Sequence, residues 1–145
     1  MSDLLYNRAL LRLAADAVGA GHLDRPSAVG TAFNPACGDR VTVELRLEEG
    51  RIAAIAHGVK ACLFAQASAS ILGMAAHGSV QSDIESLKRA VTAMLHGISH
   101  PPGAPFESYA AFKDAIDLAN RHRCVMLPIE ATLAAFANDE APKLG

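Results

Sequence analysis

The spacing of hydrophobic and polar residues changes along the chain, and the change predicts a helix first, then strands, then more helices. Residues 3–19 place apolar side chains on one side at near-helical spacing. Residues 41–47 instead alternate apolar and polar side chains, as a half-buried strand does. The strands are expected at 29–33, 41–47 and 52–59, and the helices at 3–19, 62–77, 82–96, 108–120 and after Cys124.

These elements predict an α+β fold, with a small three-stranded antiparallel sheet and helices packed on one of its faces. Glu49-Gly50 is a tight-turn pair, so the second and third strands should form a hairpin. The first strand is expected to pair antiparallel with the second across the turn at 34–40. Strands that precede a run of helices are typical of this class, and residues 1–145 are expected to form a single domain.

Composition narrows the possible functions mainly by exclusion. The formal charge of −2 and the absence of Trp argue against nucleic acid as a partner. No run of 18 apolar residues occurs, so a membrane-spanning helix is not expected. The chain starts with an acidic residue at Asp3 rather than a basic leader, which favours a cytoplasmic location. Three cysteines are an odd number, which suits a thiolate metal site better than a disulfide framework.

The first candidate site is the turn that contains Cys37, Gly38 and Asp39. Gly38 permits a backbone conformation that other residues avoid, so the cysteine and the aspartate can point the same way. Pro35 stiffens the turn, as a pair of metal ligands requires. The alternative is that these residues are turn formers and that the cysteine is incidental.

The other two cysteines are expected at the boundaries of secondary-structure elements. Cys62 lies where the third strand gives way to a helix, and Lys60 is nearby. Cys124 lies at an expected helix start and follows Arg121-His122-Arg123. Helix N-termini and adjacent cations both lower the pKa of a thiol, which favours metal binding or reactivity. The alternative for each is a small buried hydrophobic residue.

Together these residues form a set of four candidate metal ligands: Cys37, Asp39, Cys62 and Cys124. Four is the number of ligands that tetrahedral zinc takes, and thiolates also hold iron–sulfur clusters. Because a carboxylate is a hard ligand for a soft metal, the bond to Asp39 should be exchangeable. The six histidines are scattered without ligand spacing, although His122 stands two residues before Cys124. Ser68 and Ser70 are expected to allow close helix packing.

Three motifs resemble the U-type iron–sulfur assembly family, which includes IscU, the NifU N-terminal domain and SufU. The resemblance runs from about residue 4 to residue 137. The motifs are Asn34-Pro35-Ala36-Cys37-Gly38-Asp39, then Gly58-x-x-x-Cys62 followed by Ala67-Ser68-Ala69-Ser70, and then Cys124 followed by Leu127-Pro128 and Glu130-Ala131. By this resemblance Cys37, Asp39, Cys62 and Cys124 fall on the family's metal-site positions.

Two departures from IscU, together with two likenesses to SufU, place the chain closer to the SufU branch. Arg123 stands where IscU-type scaffolds have a histidine, and residues 118–123 lack their chaperone-recognition segment. The interval from Cys62 to Cys124 is long, as in SufU, whose extra segment lies between these cysteines. Arg121 and Arg123 also resemble the basic pair that precedes the third cysteine in SufU.

The SufU resemblance implies a zinc-bound acceptor of persulfide sulfur from a cysteine desulfurase, which would be a sulfurtransferase activity. A residue of the desulfurase would replace one zinc ligand and free the acceptor thiol. The branch implies Cys37 as the acceptor, with Cys124 as the alternative. The competing hypotheses are a scaffold that builds a labile [2Fe–2S] cluster for downstream apo iron–sulfur proteins, and a non-catalytic zinc-stabilised domain that binds partners.

Overall fold

The computed structural model describes residues 8–35, 38–115 and 119–139. A three-stranded antiparallel sheet carries helices on one face, so the predicted α+β class is confirmed. The elements in chain order are α1 (Arg8–Asp16), β1 (Ala28–Asn34), β2 (Asp39–Glu48), β3 (Arg51–Lys60), α2 (Leu63–Ala75), α3 (Gln81–Leu95), a 3-10 helix (Glu107–Ala115) and α4 (Ala119–Ala137).

The sheet has the strand order β1-β2-β3, and both pairings are antiparallel, as the sequence predicts. The alternation along β2 decides which face is covered, because Val41, Val43 and Leu45 are all buried there. The hairpin turn between β2 and β3 contains Glu49 and Gly50, both with positive φ. Such a turn suits the twist of paired strands.

Helix α4 lies directly against β1, and Gly30 allows this close approach. A β-carbon at Gly30 would lie 2.4 Å from the carbonyl oxygen of Ala131 and 2.2 Å from the backbone nitrogen of Ala135. These neighbours are helix backbone, which cannot move aside as a flexible side chain can. The absence of a side chain at Gly30 therefore sets the distance between α4 and the sheet.

The N-terminal helix differs from its predicted extent. Its expected cap, Asp3, lies outside the described residues, and α1 ends at Asp16 rather than at residue 19. The chain leaves the helix because the following segment pairs with the free edge of β3. Gly19 accepts a hydrogen bond from the His57 backbone N–H at 2.9 Å, and Gly21 donates one to the His57 carbonyl at 3.0 Å. Covering an otherwise unpaired strand edge outweighs one more helical turn.

The last helix also starts earlier than predicted. Cys124 was expected at a helix start, but α4 begins at Ala119 and Cys124 lies in its second turn. Pro128, expected within the first turn, is therefore in the helix interior. A proline there leaves the carbonyl of Cys124 without its intrahelical N–H donor. Burial of α4 against the sheet and α2 compensates for this loss, since most helical stability comes from packing.

His57 is a buried polar residue beneath the N-terminal segment. Its side chain is 4% exposed, and Nε2 donates a hydrogen bond to the Val18 carbonyl at 2.7 Å. Among the described residues, Nδ1 has no hydrogen-bond partner. Burial lowers the pKa of His57 below its ordinary 6.5, although the bond to Val18 partly opposes this.

Acidification is expected to destabilise the fold through His57. The unfolded chain takes up a proton at the ordinary pKa, whereas the folded chain resists it, so stability falls as pH drops through 6.5 towards the lower folded pKa. We expect the free energy of unfolding to decline less between about pH 7.5 and 5.5 in His57→Phe than in the wild type. Exposed His77 provides the control: His77→Gln should keep the wild-type slope, and equal slopes in all three proteins would contradict this role.

The helices give no indication of a membrane span. Within the described part of the chain, none of them combines the length and the apolar character needed to cross a bilayer.

Candidate metal centre

Three predicted ligands converge at one end of the sheet. The carboxylate oxygen of Asp39 and the sulfurs of Cys62 and Cys124 all lie within 4.8 Å of one another. Asp39 is the first residue of β2, Cys62 is the N-cap of α2, and Cys124 is in α4. The fourth predicted ligand, Cys37, lies outside the described residues.

The turn before β2 orients Asp39 towards the two sulfurs. Gly38 has a φ of 76°, the left-handed conformation predicted for it, and a β-carbon there would meet nothing within 4 Å. Its backbone N–H donates to the carbonyl of Asn34 at 2.8 Å, and Asn34 pairs with Asp39 in the strand register. The turn is therefore closed by hydrogen bonds at the position where Asp39 enters the sheet.

Cys62 is the more acidic of the two described thiols. A hydrogen bond from the Cys124 thiol is the main cause that lowers the pKa of Cys62 to about 6, against the opposing effect of burial. The backbone N–H groups of Phe64 and Ala65 in the first turn of α2 also stabilise the thiolate. The positive charge of Arg121 adds to this effect. The expected influence of a helix N-terminus on Cys62 is therefore present.

Cys124 behaves in the opposite way. Its pKa is raised because its thiol donates a hydrogen bond to Cys62, because it is buried, and because it faces Asp39 at an Sγ–Oδ2 distance of 3.4 Å. In the absence of metal, Cys62 is therefore the more readily deprotonated of the two thiols.

The expectation that the neighbouring arginines would lower the pKa of Cys124 is wrong. The Arg123 guanidinium donates to the Phe33 carbonyl at 3.3 Å and lies 3.7 Å from the Glu130 carboxylate. Arg121 acts on Cys62 instead. Cys124 is inside the helix rather than at its start, so residues adjacent in sequence point in different directions around the axis.

The donor set fits a thiophilic metal ion. Ligand atoms at about 2.0–2.3 Å from one tetrahedral zinc ion lie about 3.3–3.8 Å apart, so the three atoms, which lie within 4.8 Å of one another, need to approach by at most about 1.5 Å to share an ion. A metal that binds both sulfurs would displace the proton that Cys124 holds. Asp39, Cys62 and Cys124 are therefore the described residues that could hold zinc or a cluster iron.

His122, noted because of its proximity to Cys124 in sequence, packs edge-on against the ring of His96. The ring centroids are 5.5 Å apart and the rings are inclined by 86°. The structure does not place His122 with Asp39, Cys62 and Cys124 in the ligand cluster.

A buried polar contact near the site was not anticipated from the sequence. Ser68, expected to serve helix packing, donates a hydrogen bond to the Val125 carbonyl at 2.8 Å, and its hydroxyl lies 2.9 Å from that of Tyr109. Val125 follows Cys124 directly. The available signal was a serine within an apolar helix, because buried hydroxyls need partners. Its partners are 41 and 57 residues away, which no local pattern reveals.

Comparison with known proteins shows what the chain is similar to. The family model of the NifU-like N terminal domain matches residues 5–120, which include Asp39 and Cys62 but not Cys124. The iron–sulfur cluster assembly scaffold protein IscU of Thermotoga maritima is 26% identical over 124 residues, which are 86% of this chain and 87% of that protein.

Solved structures share the fold over nearly the whole chain. The N-terminal part of a nitrogen-fixing NifU-like protein from Brucella abortus superposes with a TM-score of 0.90 at 29% identity, covering 97% of this chain and 98% of that one. A putative iron–sulfur cluster assembly scaffold protein for the SUF system, from Fervidobacterium islandicum AW-1, has a TM-score of 0.83 at 18% identity. It covers 94% of this chain and 99% of its own, and at that identity the likeness is one of fold.

Proposed function

Because this chain belongs to the family of NifU-like N-terminal domains, we propose that it serves iron–sulfur cluster assembly as a zinc-binding acceptor of persulfide sulfur. Its partners would be a cysteine desulfurase and, downstream, apo iron–sulfur proteins of the cytoplasm. The observation that carries the proposal is the convergence of Asp39, Cys62 and Cys124 within 4.8 Å.

Zinc would be held by Asp39, Cys62 and Cys124, with Cys37 as the proposed fourth ligand. Bound zinc would keep the thiols deprotonated and protect them from oxidation. An incoming residue of the desulfurase would replace Cys37 at the zinc and free that thiol, while the bond to Asp39, the hardest donor of the set, would be the most easily exchanged of those that remain. An exchangeable ligand suits a site that has to open during a reaction.

The proposed reaction is a thiol exchange with Cys37 as the nucleophile. Its thiolate attacks the terminal sulfur of the cysteine persulfide on the desulfurase, a new S–S bond forms on Cys37, and the desulfurase cysteine leaves as a thiolate. One S–S bond forms and one breaks, so no external oxidant or reductant is needed. Cys124 is the alternative acceptor, but it is 2% exposed, which supports Cys37.

Replacement of Cys37 by serine is expected to abolish persulfide formation on this protein. The measurement is mass-spectrometric mapping of persulfide after incubation with a purified cysteine desulfurase and L-cysteine. Cys124→Ser is the matched variant, because it also removes one proposed zinc ligand but should retain a persulfide on Cys37. A wild-type persulfide that maps to Cys124, together with full transfer to Cys37→Ser, would reverse the assignment.

The similarity to the iron–sulfur cluster assembly scaffold protein IscU of Thermotoga maritima favours a second candidate, a scaffold whose cargo is a [2Fe–2S] cluster. The same residues would then hold iron, and the weak Asp39 ligand would help to release the cluster. Anaerobic reconstitution with iron and sulfide should then produce a visible chromophore with acid-labile sulfide. A colourless protein that still accepts persulfide would support the zinc proposal instead.

A further inference from the structure

A chain of buried hydrogen bonds connects the 3-10 helix to α2 and α4 behind the metal centre. The hydroxyls of Tyr109 and Ser68 are 2.9 Å apart, and Ser68 Oγ lies 2.8 Å from the carbonyl oxygen of Val125. Tyr109, Ser68 and Val125 are all completely buried. No solvent is therefore available to replace these bonds if one is lost.

The chemistry of the three groups decides the direction of the chain. The Val125 carbonyl can only accept, so the Ser68 hydroxyl donates its single hydrogen there. The Ser68 hydroxyl oxygen then accepts from Tyr109, whose hydroxyl also lies 3.3 Å from the Ser68 carbonyl oxygen. Burial raises the pKa of Tyr109, which keeps its hydroxyl protonated as the donor. Tyr109 thus orients Ser68, and Ser68 holds the backbone of α4.

The hydrogen bond from Ser68 to Val125 lies next to the metal centre. Cys62 caps the helix that carries Ser68, less than two turns away, and Val125 is the neighbour of Cys124. Pro128 deprives the Cys124 carbonyl of its intrahelical donor, so α4 lacks one backbone hydrogen bond at this level. The side-chain bond from Ser68 adds a tertiary restraint at the carbonyl next to the one that lacks its helical donor.

We infer that Ser68 and Tyr109 are positioning residues that hold Cys124 against Cys62, so that the two sulfurs meet at the proposed metal and sulfur-handling site. This inference rests on the proposed function for its biological meaning. The juxtaposition itself can be measured in the metal-free protein, independently of sulfur transfer.

Ser70 provides a matched control within the same helix. Its side chain is as completely buried as that of Ser68, but its oxygen accepts a hydrogen bond from the Val18 backbone N–H at 3.0 Å. Ser70 therefore ties α2 to the segment after α1 rather than to α4. Ser68→Ala and Ser70→Ala remove the same atom from the same helix, and only the first releases the backbone beside Cys124.

The test is the equilibrium between Cys62 and Cys124 in a glutathione redox buffer that contains a metal chelator, with Cys37→Ser as the background. The protein dithiol and oxidised glutathione give the protein disulfide and two reduced glutathiones, and the equilibrium constant is the effective concentration of one thiol at the other. We expect Ser68→Ala to lower this effective concentration about three- to tenfold, as the loss of one buried hydrogen bond would. Ser70→Ala should stay within about twofold of the background.

Tyr109→Phe is the second variant, since it keeps the ring against Phe112 and removes only the hydroxyl. It should lower the effective concentration in the same direction as Ser68→Ala. Circular dichroism establishes that each variant is folded. Equal losses in Ser68→Ala and Ser70→Ala, or no loss in Ser68→Ala, would overturn the inference. If persulfide transfer to Cys37 is absent while Ser68→Ala lowers the effective concentration, the proposed function fails and the positioning role stands.

Discussion

Replacement of Cys62 by serine is expected to weaken zinc binding by at least about a hundredfold, since loss of an outer-shell partner alone typically costs 10- to 100-fold. Cys62 is the more acidic thiol of the described site, and its thiolate would be stabilised by the Cys124 thiol and by the first turn of α2. A serine hydroxyl is a poor ligand for zinc at neutral pH. Competition with a chromogenic zinc chelator measures the change in affinity.

Two further variants serve as comparisons for Cys62→Ser. Asp39→Asn should weaken zinc binding less than Cys62→Ser, because the carboxylate is the hardest and most exchangeable donor. Asp83→Asn changes an exposed carboxylate at the start of α3, where it accepts a hydrogen bond from the Val80 backbone N–H, and should leave the affinity unchanged. Wild-type affinity in Cys62→Ser would show that the converging atoms are not the metal site.

Metal removal distinguishes the proposed function from a zinc-stabilised binding domain. The hydrophobic core extends from β2 through α2 to α4, and a chain of this length buries roughly two-thirds of its unfolded surface. The protein is therefore expected to keep its secondary structure in the presence of a chelator, as measured by far-ultraviolet circular dichroism. Unfolding on chelation would instead indicate that zinc serves mainly to stabilise the fold.

Gly30→Ala is expected to destabilise the fold by at least about 2–3 kcal/mol, the upper range for overpacking a core. The new methyl group would lie 2.2 Å from the Ala135 backbone nitrogen, so α4 would have to move away from β1. The midpoint of urea unfolding should fall accordingly. Because α4 also carries Cys124, zinc affinity should fall in the same variant.

Gly58 offers the matched control for Gly30. It also lies in a strand, but a β-carbon there would meet nothing within 4 Å. Gly58→Ala should change the free energy of unfolding by no more than about 0.5 kcal/mol, as for most surface substitutions. Equal destabilisation by the two alanines would indicate that loss of glycine in a strand, rather than the approach of α4, causes the effect.

The local patterns predicted the sheet more accurately than the helix boundaries. Alternation along 41–47 and the Glu49-Gly50 turn predicted the β2–β3 hairpin, and the structure extends each predicted strand by only one or two residues at each end. Strand alternation reports which face is buried, and that information is local. The predicted end of α1 was wrong because residues 19–21 pair with the edge of β3, a partner distant in sequence.

The sequence by itself determined the fold class, the turn at Gly38 and the candidate ligands, because each depends on residue type and short spacing. The tertiary structure decided that Asp39, Cys62 and Cys124 meet within 4.8 Å. It also decided that Arg121 rather than Lys60 is the cation that lowers the pKa of Cys62. Proximity between a strand, a helix cap and a distant helix arises only when the core packs, and the opposite pKa shifts of the two cysteines are a consequence of that packing.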